Sequence, residues 1–228
     1  MSAPIVVIRP YRPEDNKEVQ KLIFKGTMDP VNTFFIKALT RETYYQAIVF
    51  TAAMMFILGG VKLYWTVLSI PLVTVVTYIG IWAAHYYKAT YLHPDMKDVQ
   101  KTYMSSDKTC FFVAEAFFDY PITCQPIFLD LAVTAWLCRM AVAKQWRCNG
   151  IASHLIDRVT RFASIKGFAF IELVTTECHA KARSLYEKKG FEIKQLYHKK
   201  FFHLSGVAIT MYLMQFKTRP YRGSALDL

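Results

Sequence analysis

Acidic residues are scarce in this 228-residue chain: 17 Asp and Glu face 28 Lys and Arg, a net charge of +11. Such a balance suits an anionic cofactor, an anionic membrane surface or nucleic acid. No long Lys/Arg block and no zinc-finger spacing is present, so no nucleic-acid partner is expected. The five cysteines, Cys110, Cys124, Cys138, Cys148 and Cys178, contain no C-x-x-C pair. Neither a metal site nor a disulfide framework is expected from them, and a reducing compartment fits. There is no internal repeat and no low-complexity tract. Residues Met1 to Pro13 carry Arg9 and Arg12 and no apolar core, so a secretory signal peptide is not expected there.

Charge is also missing locally. From Thr43 to Ala84 the only formal charge is Lys62, and this stretch holds much of the excess that makes the chain 54% hydrophobic. It is too long for one membrane span, which needs roughly 20 apolar residues. It divides at Gly59-Gly60-Val61-Lys62 into Thr43–Leu58 and Leu63–Ala84. Tyr64, Trp65, Trp82 and Tyr86 stand near the ends of the second arm, where aromatic side chains suit a membrane–water interface. The expected organisation is therefore interrupted. Residues 1–42 begin a catalytic domain, 43–88 form a membrane hairpin, 89–217 complete the domain, and 218–228 form a disordered tail.

Around the insert, strand and helix patterns alternate, which argues α/β or α+β architecture. Ile5–Ile8 reads as a strand. Val19, Leu22 and Ile23 fall at helical spacing, with Gly26 as the stop. Asp95–Met104 reads as helical, and Phe111–Ala114 as a strand. Ile127–Val142 contains one or two apolar runs, with Met140-Ala141-Val142 ending a strand. Gly150–Lys166 reads as an amphipathic helix stopped by Gly167, and Ala169–Thr175 as a strand. His179–Lys188 reads as a helix capped by Gly190, and Phe191–Tyr197 and Val207–Met214 as the last strands.

Arg147-Cys148-Asn149-Gly150-Ile151-Ala152 lies between a strand and that amphipathic helix. Backbone N–H groups at a helix start bind anions, and the helix dipole adds to them. Gly150 and Ala152 leave room for a pyrophosphate, while Arg147 and Lys144 add positive charge. The spacing is neither Walker A nor G-x-G-x-x-G. Downstream stands Ala182-Arg183-Ser184-Leu185-Tyr186-Glu187-Lys188-Lys189-Gly190-Phe191.

The first segment, R-x-x-G-x-A, resembles the acetyl-CoA loop of the GNAT acetyltransferase superfamily. The second resembles its A-x-x-L-Y-E-x-x-G-F segment. The order and separation of the two agree with that superfamily. Within it the chain is similar to the camello-like group, which includes N-acetylaspartate synthetase. The similarity is carried by Gly26-Thr27-Met28, Asn32-Thr33, the apolar insertion, Asp95-Met96-Lys97-Asp98-Val99, Cys110-Phe111-Phe112-Val113-Ala114, Leu137-Cys138-Arg139-Met140-Ala141-Val142 and Thr175-Thr176. Asn32-Thr33 and Arg139 lean toward the aspartate enzyme. One region departs: residues 116–136 lack the family's V-V-G-h-V-A strand (h, hydrophobic), and Trp136 replaces an acidic residue.

The resemblance implies an α+β GNAT fold, a mixed and mostly antiparallel sheet flanked by helices, with the hydrophobic hairpin inserted. It implies acetyl-CoA as co-substrate, with no metal, lying between the strand ending at Val142 and the one beginning near Ala169. Met140, Ala141 and Val142 would pair with the pantetheine arm, and the loop from Arg147 through Ala152 would hold the phosphates. Tyr186 would serve as the acid for the departing thiolate. Arg139 would clamp a substrate carboxylate, or form a structural ion pair. Glu115, Asp130, Glu172 or a water wire could supply the base. His179 reads as a cap or surface residue.

The expected substrate is a small-molecule amine, with L-aspartate first and cysteine S-conjugates next. A protein lysine acetyltransferase and a catalytically impaired interaction module are the alternatives. Lys25, Lys37, Arg41, Lys88, Lys97, Lys101 and Lys108 flank the insert, so both flanks are expected on the cytosolic side. Membrane lipid is then a partner, and the camello-like relatives suggest the endoplasmic reticulum.

Overall fold

The structure, a computed structural model, describes residues 6–91, 94–116, 120–129, 134–200 and 208–219. Ile5, Asp130, Val133, Val207 and the tail beyond Arg219 lie outside them. The chain divides into two units: Thr27–Leu92 with Lys199–Ile209, and the remainder.

The larger unit is built on one sheet. Strands β1 (Val6–Pro10), β2 (Cys110–Ala116), β3 (Tyr120–Leu129), β4 (Thr134–Leu137), β5 (Ala141–Val142), β6 (Phe170–Thr176), β7 (Glu192–Lys200) and β8 (Ala208–Lys217) belong to it. The order is β1-β2-β3-β4-β6-β8-β7, with β5 also paired to β3. β4 and β6 pair in parallel, whereas β1–β2, β2–β3, β3–β4 and β6–β8 are antiparallel.

Two apolar clusters fix the sheet's surroundings. On one face, helix α1 (Asn16–Met28) inserts Val19, Leu22 and Ile23 among Tyr103, Phe111 and Val113. The other cluster joins Phe112, Ala135, Leu137, Ile171, Leu173 and Met214 from the strands to a helical stripe of Ile151, Leu155, Ile156, Val159 and Phe162. Alternation along β2 explains how Phe111 and Phe112 serve different clusters.

Gly26 is not a stop. It lies inside α1, and a Cβ built there would come within 3.3 Å of the Ala141 Cβ. Close approach to β5 is thus the use of this glycine. The Asp95–Met104 helix is also broken: a 3-10 turn at Pro94–Met96 precedes α5 (Val99–Tyr103). Between them Asp98 caps α5, its Oδ1 accepting the Lys101 N–H at 2.9 Å. In the divergent region β3 occupies Tyr120–Leu129, earlier than the apolar run from Ile127 suggests. The start of the tail is tied down, because Thr218 N–H donates to the Ala169 carbonyl at 2.9 Å.

The smaller unit is helical. Helices α2 (Val31–Leu39), α3 (Glu42–Ile57) and α4 (Ser69–Tyr91) form most of it, with a 3-10 turn at Leu63–Leu68, and the end of β7 and start of β8 also fall in it. α4 packs with both α2 and α3. The Tyr44 hydroxyl meets Thr74 Oγ1 at 2.7 Å, and Phe35 and Tyr78 stack edge to face. Pro71 falls in the first turn of α4, where no backbone donor is needed. The α3–α4 arrangement is a helical hairpin turning through Gly59-Gly60, where Gly60 has φ of 57°. Leu63–Tyr91 is apolar and long enough to cross a membrane, with mean hydropathy 2.0. Few of its side chains are buried: Val75, Val76 and Ile79 are all exposed.

Candidate active site

The site begins where two parallel strands part. β4 and β6 pair only through Thr134–Phe170, Ala135–Ile171 and Trp136–Glu172. Beyond Trp136 the first strand breaks at Cys138–Met140 and resumes as β5, which pairs with β3 through Cys124–Ala141 and Thr123–Val142. β6 runs on to Thr176 paired with β8 alone. The facing edges of Leu137–Val142 and Leu173–Thr176 are therefore not paired with each other. Backbone amides and carbonyls on such edges need partners, and an extended amide-bearing ligand supplies them.

The chain leaves this wedge into the expected anion loop. Helix α6 (Ile151–Ile165) starts after Gly150, which has φ of 76°, and Cys148 has φ of 67°. These two left-handed residues fold Arg147–Gly150 tightly over the helix start. No side chain caps α6, so its first amides lack helical acceptors. Arg147, Cys148, Asn149 and Gly150 are exposed, Ala152 is half-buried and Ile151 is in the core. Arg147 Nε donates to the Val142 carbonyl at 2.9 Å, which joins the loop to the wedge edge. Asn149 Nδ2 reaches the Trp146 carbonyl at 3.4 Å. Oriented amides, an arginine and a bare unpaired strand edge fit a pyrophosphate followed by a pantetheine arm.

Tyr186 lies on helix α7 (Ala180–Lys188) and is 8% exposed. Its ring packs against Phe191 at 5.7 Å between centroids, within the cluster that holds Ile171 and Leu173. Gly190, with φ of 87°, turns the chain back to bring Phe191 there. Burial pushes the Tyr186 phenol up to about 12. The ring is a packing group, and its hydroxyl stays protonated at neutral pH.

Arg139 sits in the break between β4 and β5, ion-paired through Nη1 to Asp95 Oδ2. The Tyr103 hydroxyl donates to the same oxygen. Burial alone would raise the Asp95 carboxyl. The hydrogen bonds from Arg139 and Tyr103, with the guanidinium charge, outweigh it and hold the carboxyl below its ordinary value. Sequence reasoning named Arg139 but missed this partner, although Asp95 stood among the residues carrying the resemblance.

The candidate bases separate by position. Glu115 is on β2, with β3 between it and the wedge, and it accepts Arg9 Nε at 2.8 Å. Glu172 is the last residue of β6 paired with β4, opposite Trp136, so it stands at the apex of the wedge. Its Oε1 accepts Lys194 Nζ and Gln215 Nε2, each at 2.7 Å. Strand alternation turns it away from Ile171 and Leu173. His179 is the N-cap residue of α7, and its Nδ1 meets Thr176 Oγ1 at 2.8 Å. Among the described residues no group of three His, Cys, Asp or Glu side chains is placed to hold a metal.

A profile of the acetyltransferase (GNAT) domain matches residues 107–193, which cover the wedge, the loop and α7. Residues 107–193 are a GNAT acetyltransferase domain. The chain is 28% identical over 194 residues to N-acetyltransferase family 8 member 3 of Rattus norvegicus, covering 81% of this chain and 83% of that one. It is 29% identical to the probable N-acetyltransferase camello of Xenopus tropicalis, over 82% and 86% of the two chains. With N-acetylaspartate synthetase of Danio rerio the identity is 28%, over 82% of this chain and 66% of that one. Two solved structures share the GNAT fold. A GNAT-family acetyltransferase from Streptococcus pneumoniae gives a TM-score of 0.55 at 16% identity, over 93% of this chain and 99% of that one. Spermidine N-acetyltransferase from Vibrio cholerae, in complex with CoA and spermine, gives 0.56 at 14%, over 93% and 95%. The GNAT domain and the N-acetyltransferase relatives support acetyl-CoA-dependent N-acetyl transfer by this chain.

Proposed function

We propose that the chain is a membrane-anchored enzyme that acetylates the primary amine of a small anionic molecule, L-aspartate first. The observation that carries the transfer reaction is the parting of β4 from β6 directly before the left-handed loop at α6. Met140, Ala141 and Val142 offer the strand edge to pantetheine, and Arg147 through Ala152 take the phosphates. The neutral amine attacks the thioester carbonyl, the C–S bond breaks, and the amine nitrogen loses a proton. Among the described residues Glu172, at the wedge apex, is the best-placed carboxylate to receive that proton through water. Tyr186 donates a hydrogen bond to the sulfur as it leaves. A phenol near 12 is a weaker acid than a thiol of about 8.5, so this donor stabilises the thiolate without surrendering its proton completely.

Arg139 supports an anionic substrate, since a guanidinium binds carboxylates, as its pairing with Asp95 illustrates. The relative named for N-acetylaspartate makes aspartate the first compound to try, with cysteine S-conjugates next. The apolar faces of α3 and α4 support anchoring in a membrane. The basic flanks support a cytosolic catalytic domain, and the camello-like resemblance suggests the endoplasmic reticulum.

The full chain in detergent, given acetyl-CoA and a panel of amino acids, S-conjugates and lysine peptides, tests the reading. Turnover is expected with carboxylated amines, and Arg139→Lys should raise KM for aspartate more than for an uncharged amine. Turnover confined to lysine peptides would overturn the small-anion assignment. One observation favours a catalytically impaired protein instead: Trp136 occupies the acidic position, and Glu172 is bound to Lys194. Acetyl-CoA binding without turnover on any amine would select that reading.

A further inference from the structure

A second cationic site lies away from the wedge, in the same unit. A cavity of about 400 Å³ opens beneath the turn Ser105–Thr109, between β2 and the distal half of α6. Phe112 and Phe162 line it with Cys110, and two cations reach it, Arg158 and Lys166. Arg158 is unusual: its Nε is buried without a hydrogen-bond partner, and no other side-chain nitrogen or oxygen among the described residues is left so. The guanidinium lies over the Phe112 ring, 5.6 Å from its centroid. That contact offsets part of the cost of burying a cation but satisfies no N–H. The neighbouring Asp157 is taken by Lys189 at 2.7 Å.

Lys166 Nζ lies 6.0 Å from the Phe162 ring centroid. It also meets Asp107 at 2.5 Å, and Asp107 is 89% exposed. An ion pair to so exposed a carboxylate is weak and exchanges readily. Arg158 and Lys166 against Asp107 leave one uncompensated positive charge in the cavity. A dianion that displaced Asp107 would neutralise both cations. The turn adds hydroxyls at Ser106 and Thr109, and burial pushes the Cys110 thiol up to about 11, so it adds no negative charge. Fork-shaped N–H donors, an ammonium and hydroxyls together match a tetrahedral phosphate better than a carboxylate.

We propose that the cavity between the Ser105–Thr109 turn and α6 binds a small phosphate-bearing ligand, with Arg158 and Lys166 as its cationic contacts. The proposal is independent of the transfer reaction, because none of these residues belongs to the wedge or its loop.

The test uses the full chain in detergent saturated with CoA, so that the loop at Gly150 is filled. Inorganic phosphate is titrated by calorimetry. Saturable binding at one site is expected, at least about tenfold weaker in Arg158→Gln, because hydrogen bonds to a charged ligand are lost. If Arg158→Gln does not fold, Lys166→Gln at the cavity mouth carries the test, with affinity reduced several-fold. Absence of saturable binding in the CoA-saturated wild type overturns the site. So does unchanged affinity in the folded Arg158 or Lys166 variant. Glycerol 3-phosphate and a short-chain phosphatidate then separate the sources. Equal affinity identifies a soluble phosphate ester, and stronger phosphatidate binding identifies a lipid headgroup.

Discussion

Helices α6 and α4 are both rich in apolar residues, and they use them in opposite ways. α6 buries Leu155, Ile156 and Val159 and turns His154, Asp157 and Arg161 to water. α4 buries Ser69, Val73, Ala84 and His85 and exposes Leu72, Val75, Val76 and Ile79. Water rewards the first pattern, since a helix in water hides one apolar stripe. The second is stable where the surroundings are themselves apolar and the backbone satisfies itself. Apolar content does not separate the two helices. The direction in which apolar side chains point does.

The largest expected effect tests that contrast with one truncation in each helix. Leu155→Ala should cost the GNAT domain about 2–5 kcal/mol, because it opens a cavity in a close-packed cluster. Val76→Ala should stay within about 0.5 kcal/mol, as an exposed substitution does. Urea unfolding of the full chain in detergent, followed by tryptophan fluorescence, measures both. Equal losses would make α4 a core helix and end the membrane reading.

Charge gives the next effect. A lysine near the centre of a membrane helix costs roughly 2.5–3.5 kcal/mol of insertion free energy. Val76→Lys should therefore reduce the fraction of chain that resists alkaline carbonate, whereas Asp157→Lys on the exposed face of α6 should leave it unchanged. Release of the wild-type chain by carbonate would show that α4 is not integral.

The wedge is where the comparison meets chemistry. Tyr186→Phe should keep the packing with Phe191 and lose only the hydroxyl, slowing kcat by roughly 10² with acetyl-CoA affinity intact. Stopped-turnover assays with calorimetry in parallel distinguish the roles. Unchanged kcat would leave Tyr186 as a core residue alone.

The sequence announced what depends on local chemistry. The loop at Gly150, the buried stripe of α6 and the apolar hairpin follow from short spacings that any reader of periodicity can find. What it concealed depends on residues distant along the chain. Gly26 looks like a helix stop because glycine often is one. Only its approach to Ala141 shows that it is spacing a helix from a strand. The Asp95–Arg139 pair joins positions 44 residues apart, and neither residue names its partner. The first part of β3 was hidden for another reason: Pro121, Gln125 and Pro126 break the alternation that a strand usually displays, so only its pairing with β2 and β4 reveals it.

The smallest expected effect concerns that distant pair. It sharpens the contrast because paired, half-buried charge belongs to the water-facing region, whereas Thr43 to Ala84 carries Lys62 alone. Arg139 and Asp95 are 22% and 21% exposed, so the pair should contribute about 1 kcal/mol after solvent screening. The sign follows from the carboxyl. Its folded value lies below the ordinary 3.8, so its contribution is complete above that value and is lost as pH falls through the folded one. Asp95→Asn imitates the protonated side chain at every pH. The melting temperature of this variant should therefore fall a few degrees below wild type at pH 7, and the gap should narrow only below 3.8. Asp15 titrates in the same range, held down by Arg9 and the Arg12 backbone against the effect of burial, but it is common to both proteins and cancels in the difference. A gap that stayed constant to pH 3, or one absent at pH 7, would show that Arg139 draws no stability from Asp95.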